Sequence, residues 1–369
     1  MRHIKATAIA HPNIAFIKYW GKRNEELKLP TVSSLSMTLD NFYTKTTVEF
    51  NDSFTEDSFV LNGKPITGGI ELLRVTKHLD LIRTRADKNI KTKTDKKLFA
   101  KVASENNFPT ASGIASSSSG FTALTLAACK SIGLDETDLN LKSDSNLKPD
   151  LNPKPDSNLK HDLNLKHISI VARQGSGSAC RSTYGGFVEW KKGEADDGKD
   201  SYAEQLFDEK YWPELKMIVL ILDQKEKKIK STQGMRISVE TSPFYNDWAK
   251  TSIIDLQDVK AALNQKDFTK IGNIMERNCL KMHSVMISSN PSLIYWRPET
   301  LTLMENIKSL RETGTECYFT IDAGANVMVL CLDKDVDKIL NILEQVPFIH
   351  DFIICSAGKG VELSEEHLF

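Results

Sequence analysis

Four stretches of this chain concentrate the residue types on which group-transfer chemistry depends. The first is NNFPTASGIASSSSGF at 106–121, with Asn107 and Pro109 leading to Gly113 and then to Ser116, Ser117, Ser118 and Ser119, directly before an apolar run. Glycine lets a backbone approach an anion closely, serines cap and donate hydroxyls, and a helix N-terminus adds unsatisfied N–H groups at the positive end of its dipole. Together they suit nucleotide phosphates, although the stretch lacks the G-K-[ST] ending of a Walker loop and does not fit G-x-G-x-x-G. A serine-capped buried helix without a ligand is the plainer alternative. The second stretch, RQGSGSACRSTYGGF at 173–187, interleaves Gly175 and Gly177 with Ser176 and Ser178 and runs on to Arg181. Such glycine density marks backbone packed against a ligand or another strand. The Arg181 guanidinium can grip a carboxylate or phosphate with two parallel hydrogen bonds, or simply form a surface ion pair. The third is Asp322 in TIDAGAN, a carboxylate where an apolar strand enters a glycine turn. Held by cations it could accept a proton from a substrate hydroxyl; otherwise it bonds its own turn. The fourth, IKYWGKR at 17–23, sets Lys18 and Lys22 around Tyr19 and Trp20, either as a cationic site or as an exposed basic turn.

These side chains need elements to hold them. Residues 4–18 and 43–50 alternate apolar and polar positions with β-branched clusters, which predicts half-buried strands. From Ser116 the pattern turns to small residues and then Phe121, Leu124, Leu126, Ala127 and Ile132, a buried helix that Gly133 stops. Further on, Lys216–Asp223 is a continuous apolar strand, and Ile253–Asn264, Leu301–Leu310 and Val336–Val346 have helical spacing. CYFTIDAGANVMVLCL reads as strand, tight turn, strand. Strands and helices mix without regular alternation, which predicts α+β rather than a doubly wound parallel sheet.

One segment differs in kind. DSNLKPDLNPKP at 144–155 is followed by its near-copy DSNLKHDLNLKH at 156–167, and DLNLK occurs both at 138–142 and at 162–166. Excising 143–166 rejoins the chain without a seam, so these residues read as an insertion made by tandem expansion. Two short copies rich in Pro, Asp, Asn and Lys bury too little apolar area to offset their ordering entropy, which predicts a disordered or mobile surface loop.

Composition narrows the function. The 369 residues carry 48 Lys plus Arg against 49 Asp plus Glu, a net charge of −1, so there is no basic field for nucleic acid or a membrane surface. No apolar run approaches the roughly 20 residues that cross a bilayer. The N-terminal stretch has no apolar signal core, and a cytoplasmic location is expected. The six cysteines form no C-x-x-C pair and the eight histidines no ligand spacing, so free thiols and no dedicated protein metal site are expected.

Together the four stretches, with LPTVSSLSMTL and GMRISVETSP, resemble the mevalonate diphosphate decarboxylases of the GHMP kinase superfamily, over nearly the whole chain outside 143–166. The resemblance implies a two-lobed fold with a central cleft, an N-terminal lobe at 1–190 carrying the ATP phosphate loop and a C-terminal lobe at 191–369 carrying Asp322. It implies a small-molecule substrate, Mg2+ arriving with ATP, and a homodimer. The 3-hydroxyl of mevalonate 5-diphosphate would be phosphorylated and the phosphate then lost with CO2, leaving isopentenyl diphosphate. Asp322, Lys18 and Arg181 match the family's catalytic positions. Tyr19, Lys22, Gly177, Ser178, Met235 and Arg236 match its substrate-binding positions, and Asn107, Pro109, Gly113 and Ser116–Ser119 its ATP loop. Two departures stand out: Ala325 replaces an expected proline, predicting a looser turn, and Ser118 and Ser119 replace two alanines of many members. Decarboxylation of mevalonate 5-phosphate, a 3-kinase that stops before CO2 loss, and a non-catalytic scaffold are the competing readings.

Overall fold

A computed structural model describes residues 5–89, 97–108, 116–134, 164–222 and 227–369. Pro109, Gly113 and most of the predicted insertion lie outside them. Its helices are α1 (Gly69–Asn89), α2 (Ser116–Ser131), α3 (Leu165–Gly175), α4 (Ser231–Thr241), α5 (Tyr245–Gln265), α6 (Phe268–Ile287), α7 (Pro298–Glu312) and α8 (Val336–Leu343).

Among the described residues three larger sheets organise most of the strands, and Lys22–Asn24 pairs with Leu29–Pro30 in a fourth, two-stranded one. The largest runs in the order Glu362–Ser364, Lys5–Ala10, Thr44–Asn51, Phe99–Asn106, Ser58–Leu61, Lys64–Pro65. Helix α2 lies against Lys5–Ala10 and Thr44–Asn51, with α1 and α3 beside it. Ala8, Val48, Phe50 and Val102 meet Ile82, Leu124, Ala127, Ile168 and Val171 in one core. The small residues of α2 let it press close to the sheet, and Gly133, at φ +82°, ends it as its sequence predicts. A second sheet, Ala203–Phe207, Phe187–Trp190, Ser34–Thr38, Asn13–Ile17, is covered by α5 and α6. The third, Cys317–Thr320, Met328–Leu332, Leu215–Ile221, Asp351–Cys355, is wholly antiparallel, with α7 and α8 packed on one face.

Several expectations are refined. Asn13–Ile17 is buried on both faces rather than half-buried, because α6 and the core behind it close the second face. Phe187–Trp190 and Ala203–Phe207 pair as a hairpin across the expected lobe boundary, and the chain reaches the third sheet only at Leu215. Glu362–Ser364 returns to pair with Lys5–Ala10. The end of the predicted insertion is ordered: Asn164 caps α3, its side-chain oxygen accepting from Lys166 N–H at 3.0 Å, so Leu165 and Lys166 are the first helical turn. All six cysteines are buried and free.

Candidate active site

Lys18 and Asp322 approach from different sheets, each one or two residues past the end of a strand. The Lys18 side chain is 1% exposed and its Nζ donates to Asp322 Oδ1 at 2.6 Å, while Asp322 stays 29% exposed. Burial alone would raise the Asp322 carboxyl. The Lys18 ammonium, by charge and hydrogen bond, and then Arg181 and Lys227, outweigh that and hold it below the ordinary carboxylate range. Lys227 lies by the same turn, its Nζ 3.7 Å from where a Cβ on Gly324 would stand.

Proline is absent from that turn, yet the turn is anchored. Thr300 Oγ1 donates to Ala325 O at 2.8 Å, and Asn326 Oδ1 accepts from Leu222 N–H at 3.2 Å. The looseness expected from Ala325 is therefore countered by hydrogen bonds to two neighbouring elements.

Arg181 sits in the short 3-10 turn Gly177–Thr183, which follows α3 directly. Its Nε donates to Asn13 Oδ1 and Ser36 Oγ at 3.1 and 3.0 Å, and its Nη1 to Ser34 Oγ at 2.6 Å. These neutral oxygens orient the fork without cancelling its charge, and no partner holds Nη2 among the described residues. Tyr19 packs edge-on against Trp190 with centroids 4.6 Å apart, its buried hydroxyl without a partner among the described residues. That hydroxyl stands 2.7 Å from where a Cβ on Gly177 would lie, so the glycine is required by close approach. Burial holds the phenol well above its usual range, so it remains a neutral donor. Ser178 lies in the same turn, and its carbonyl accepts from Asn13 Nδ2.

Beyond Gly177 the surroundings become cationic. Lys22 Nζ contacts Glu25 Oε2 at 2.6 Å. Lys28, in the left-handed region at φ +50°, donates to the carbonyls of Gln174 and, at 3.0 Å, of Gly175. Arg74 lies over the Phe121 ring, its guanidinium carbon 4.7 Å from the centroid. Burial first, and then the nearby Arg74 and Lys22 charges, push the Lys28 ammonium down to about 8 despite Glu25. Among the described residues three cations, Lys22, Lys28 and Arg74, meet here, and the carboxylates that act on them are Glu25 and Glu71.

The remaining predicted residues are not all equivalent. Ser116 and Ser117 are partly exposed at the start of α2, whose first turn has no acidic residue, and Ser117 Oγ lies 3.2 Å from Ser176 Oγ. Ser118 and Ser119 are fully buried, and the Ser119 hydroxyl bonds Thr44 Oγ1 at 2.7 Å, which fastens α2 to the sheet. Asn107 uses both side-chain ends on the 41–43 turn. Met235 is buried in a cluster with Trp20, whereas Arg236, on the same helix, is exposed and forms no ion pair among the described residues. Sequence reasoning missed Asn13, Ser34 and Ser36, although the alternation of 34 and 36 places them on one strand face. It also missed Lys28, Arg74 and Lys227, which only long-range packing brings to the site.

The architecture is α+β, a two-lobed GHMP kinase-type fold with a carboxylate–lysine pair where the two halves meet. Residues 10–146 and 156–203 match the diphosphomevalonate decarboxylase-like N-terminal domain, and 217–362 match the mevalonate 5-diphosphate decarboxylase C-terminal domain. Human diphosphomevalonate decarboxylase is 36% identical, over 89% of this chain and 77% of its own length. The mevalonate diphosphate decarboxylase structure from Staphylococcus aureus is 37% identical with a TM-score of 0.83, covering 98% of each chain. Another solved structure, described as MDDEF in complex with MVAPP, AMPPCP and magnesium, is 39% identical with a TM-score of 0.84 over 99% of this chain and 100% of that one. This chain belongs to the diphosphomevalonate decarboxylase family.

Proposed function

We propose that this protein converts mevalonate 5-diphosphate and ATP to isopentenyl diphosphate, ADP, phosphate and CO2. The observation that carries the reading is the Lys18–Asp322 contact, with the fork of Arg181 close enough to lower the Asp322 carboxyl. In the first stage Asp322 accepts or directs the proton of the 3-hydroxyl as its oxygen takes the γ-phosphoryl group, while Lys18 keeps Asp322 ionised. In the second the C–C bond to the carboxylate breaks and its electron pair forms the carbon–carbon double bond. The C–O bond to phosphate breaks at the same time, so CO2 and phosphate leave together. Arg181 Nη2 is available to orient that carboxylate. Tyr19, Gly177, Ser178, Lys22, Arg74 and Lys28 are assigned to the anionic end of the substrate, with Met235 and Arg236 on α4 closing it.

The surplus of cations around Lys28 supports the diphosphate over the monophosphate, because a second phosphate supplies counter-charge beyond that of Glu25 and Glu71. The partly exposed Ser116 and Ser117 and the N–H groups of α2, whose first turn has no acidic residue, suit the phosphates of Mg-ATP. Magnesium, bound with the nucleotide, would neutralise charge on the transferring phosphoryl group. Asn107, Pro109, Gly113, Ser118 and Ser119 complete the proposed ATP loop, Ser119 by holding the helix on the sheet. The lobes are assigned as 1–190 and 191–369, with Ala203–Phe207 and Glu362–Ser364 crossing back to sheets of the first. The family resemblance also supports a cytoplasmic homodimer, which light scattering would report as twice 41.4 kDa.

The test is to supply Mg-ATP with mevalonate 5-diphosphate or mevalonate 5-phosphate and follow ADP and CO2. Equal ADP and CO2 with the diphosphate alone is the expected result. The same yield with the monophosphate alone, or ADP without CO2, would overturn it.

A further inference from the structure

The two residues of the catalytic pair begin where sheet hydrogen bonding stops, and helix α6 supplies what the sheets no longer provide. The ladder between Asn13–Ile17 and Ser34–Thr38 ends at Ile17. The next donor, the buried Lys18 N–H, is taken by Asn278 Oδ1 at 2.9 Å. The ladder between Cys317–Thr320 and Met328–Leu332 ends at Thr320. The next residue, Ile321, donates its N–H to Cys279 Sγ at 3.1 Å, and its carbonyl accepts from the same thiol at 3.3 Å and from His283 Nε2 at 3.2 Å. Neighbouring residues of one helix thus hold the backbone of Lys18 and the backbone preceding Asp322.

Asn278 is not free to turn. Its Nδ2 donates to Asp255 Oδ2 at 2.8 Å, and Asp255, buried in α5, is held by Arg277 at 3.0 Å and by Lys281. A carboxylate can only accept, so it forces the amide nitrogen toward itself and the amide oxygen toward Lys18. On the other side burial pushes the Cys279 thiol up to about 11 and the His283 imidazole down to about 4, so both stay neutral donors to Ile321.

We propose that Asn278 is a positioning residue for phosphoryl transfer, acting through the Lys18 backbone to keep the Lys18 ammonium against Asp322, with Asp255 setting the direction of its amide. The inference rests on the proposed roles of Lys18 and Asp322. It does not involve substrate contact by Asn278, which is buried at 0% exposure.

The variant Asn278→Leu keeps the side-chain size but removes the acceptor. It is expected to lower kcat on the order of 10- to 100-fold, the scale of a displacement near 1 Å, while KM for ATP and for the diphosphate stays within about two-fold. A second readout needs no activity: the titration of 13Cγ of Asp322, assigned by its absence in Asp322→Asn. With Lys18 loosened, and Arg181 and Lys227 as the remaining cations nearby, that titration should move up toward the ordinary carboxylate range. The isosteric exchange Asn278→Asp with Asp255→Asn re-creates an acceptor for Lys18 N–H and a bond across the pair, and should recover most of kcat. If Asn278→Leu does not fold, Asp255→Asn alone frees the amide to turn and should raise the Asp322 titration in the same direction. An unchanged Asp322 titration, or an unchanged kcat beside a lowered Tm, overturns the proposal. A parent protein that releases no CO2 would instead sink the proposed reaction, with the titration still deciding the clamp.

Discussion

Asp322 combines a partly open carboxylate with a buried lysine, and that asymmetry determines what its replacement would do. In Asp322→Asn the amide cannot act as a base, and the buried Lys18 ammonium loses its counter-charge. kcat is expected to fall by about 100- to 10,000-fold while the Kd for nucleotide, measured by calorimetry, stays near the parent value. Lys28 gives a separate pH signature. Its folded value of about 8 lies below the ordinary 10.5, so between those limits the unfolded chain holds a proton that the folded chain has released. Its contribution to stability therefore rises with pH across that window, while the anionic end of the site loses a charge. KM for the diphosphate is expected to rise between pH 7 and pH 9, and Lys28→Gln should flatten that rise; a parallel rise in the variant would refute the assignment. That Asp322, Lys18 and Arg181 come together could be expected from the sequence because each stands in a long glycine or aromatic motif. The approach of Lys28 and Arg74 could not, since a lysine or arginine between ordinary residues looks like solvated surface until distant chain packs over it.

At the scale of elements, α2 could be read from its small and apolar residues and from Gly133, whereas α6 could not. The buried Asn278 and His283 interrupt its apolar stripe, so the residues that let α6 hold the backbone at Lys18 and Ile321 are those that obscure its periodicity. Helix α3 shows the opposite, a cap written twice. Asn164 stands three residues before His167, and removal of 143–166 would put Asn140 in the same relation to it. The deletion is expected to leave both Tm and kcat nearly unchanged. Adding Asn140→Ala to the shortened chain should then cost about 1 kcal/mol in urea unfolding, the scale of a lost N-cap. A large loss from the deletion alone would show that the repeat packs on the body.

Over the whole molecule the two halves are less separable than a boundary at residue 190 suggests. Phe16, Leu35 and Phe187 share one core with Leu263, Met275 and Leu330, and the last strand lies in the first sheet. Alternation and apolar runs reveal strands but not their partners, which is why the composition of the sheets was beyond the sequence. The cysteines are spread over separate buried clusters, with Cys355 alone in this shared one. Burial pushes the thiols of Cys129, Cys180, Cys317 and Cys355 up to about 12 and Cys279 to about 11, and raises Cys331 as well. A thiol reagent should therefore titrate close to none of the six in the native protein and all six in guanidinium. Rapid reaction of one in the native state would contradict this burial. The practical consequence is that the wild-type chain is already a background-free host for site-directed labelling. One cysteine added to the surface could carry a fluorophore alone, so nucleotide binding could be followed in single molecules without first stripping any native residue.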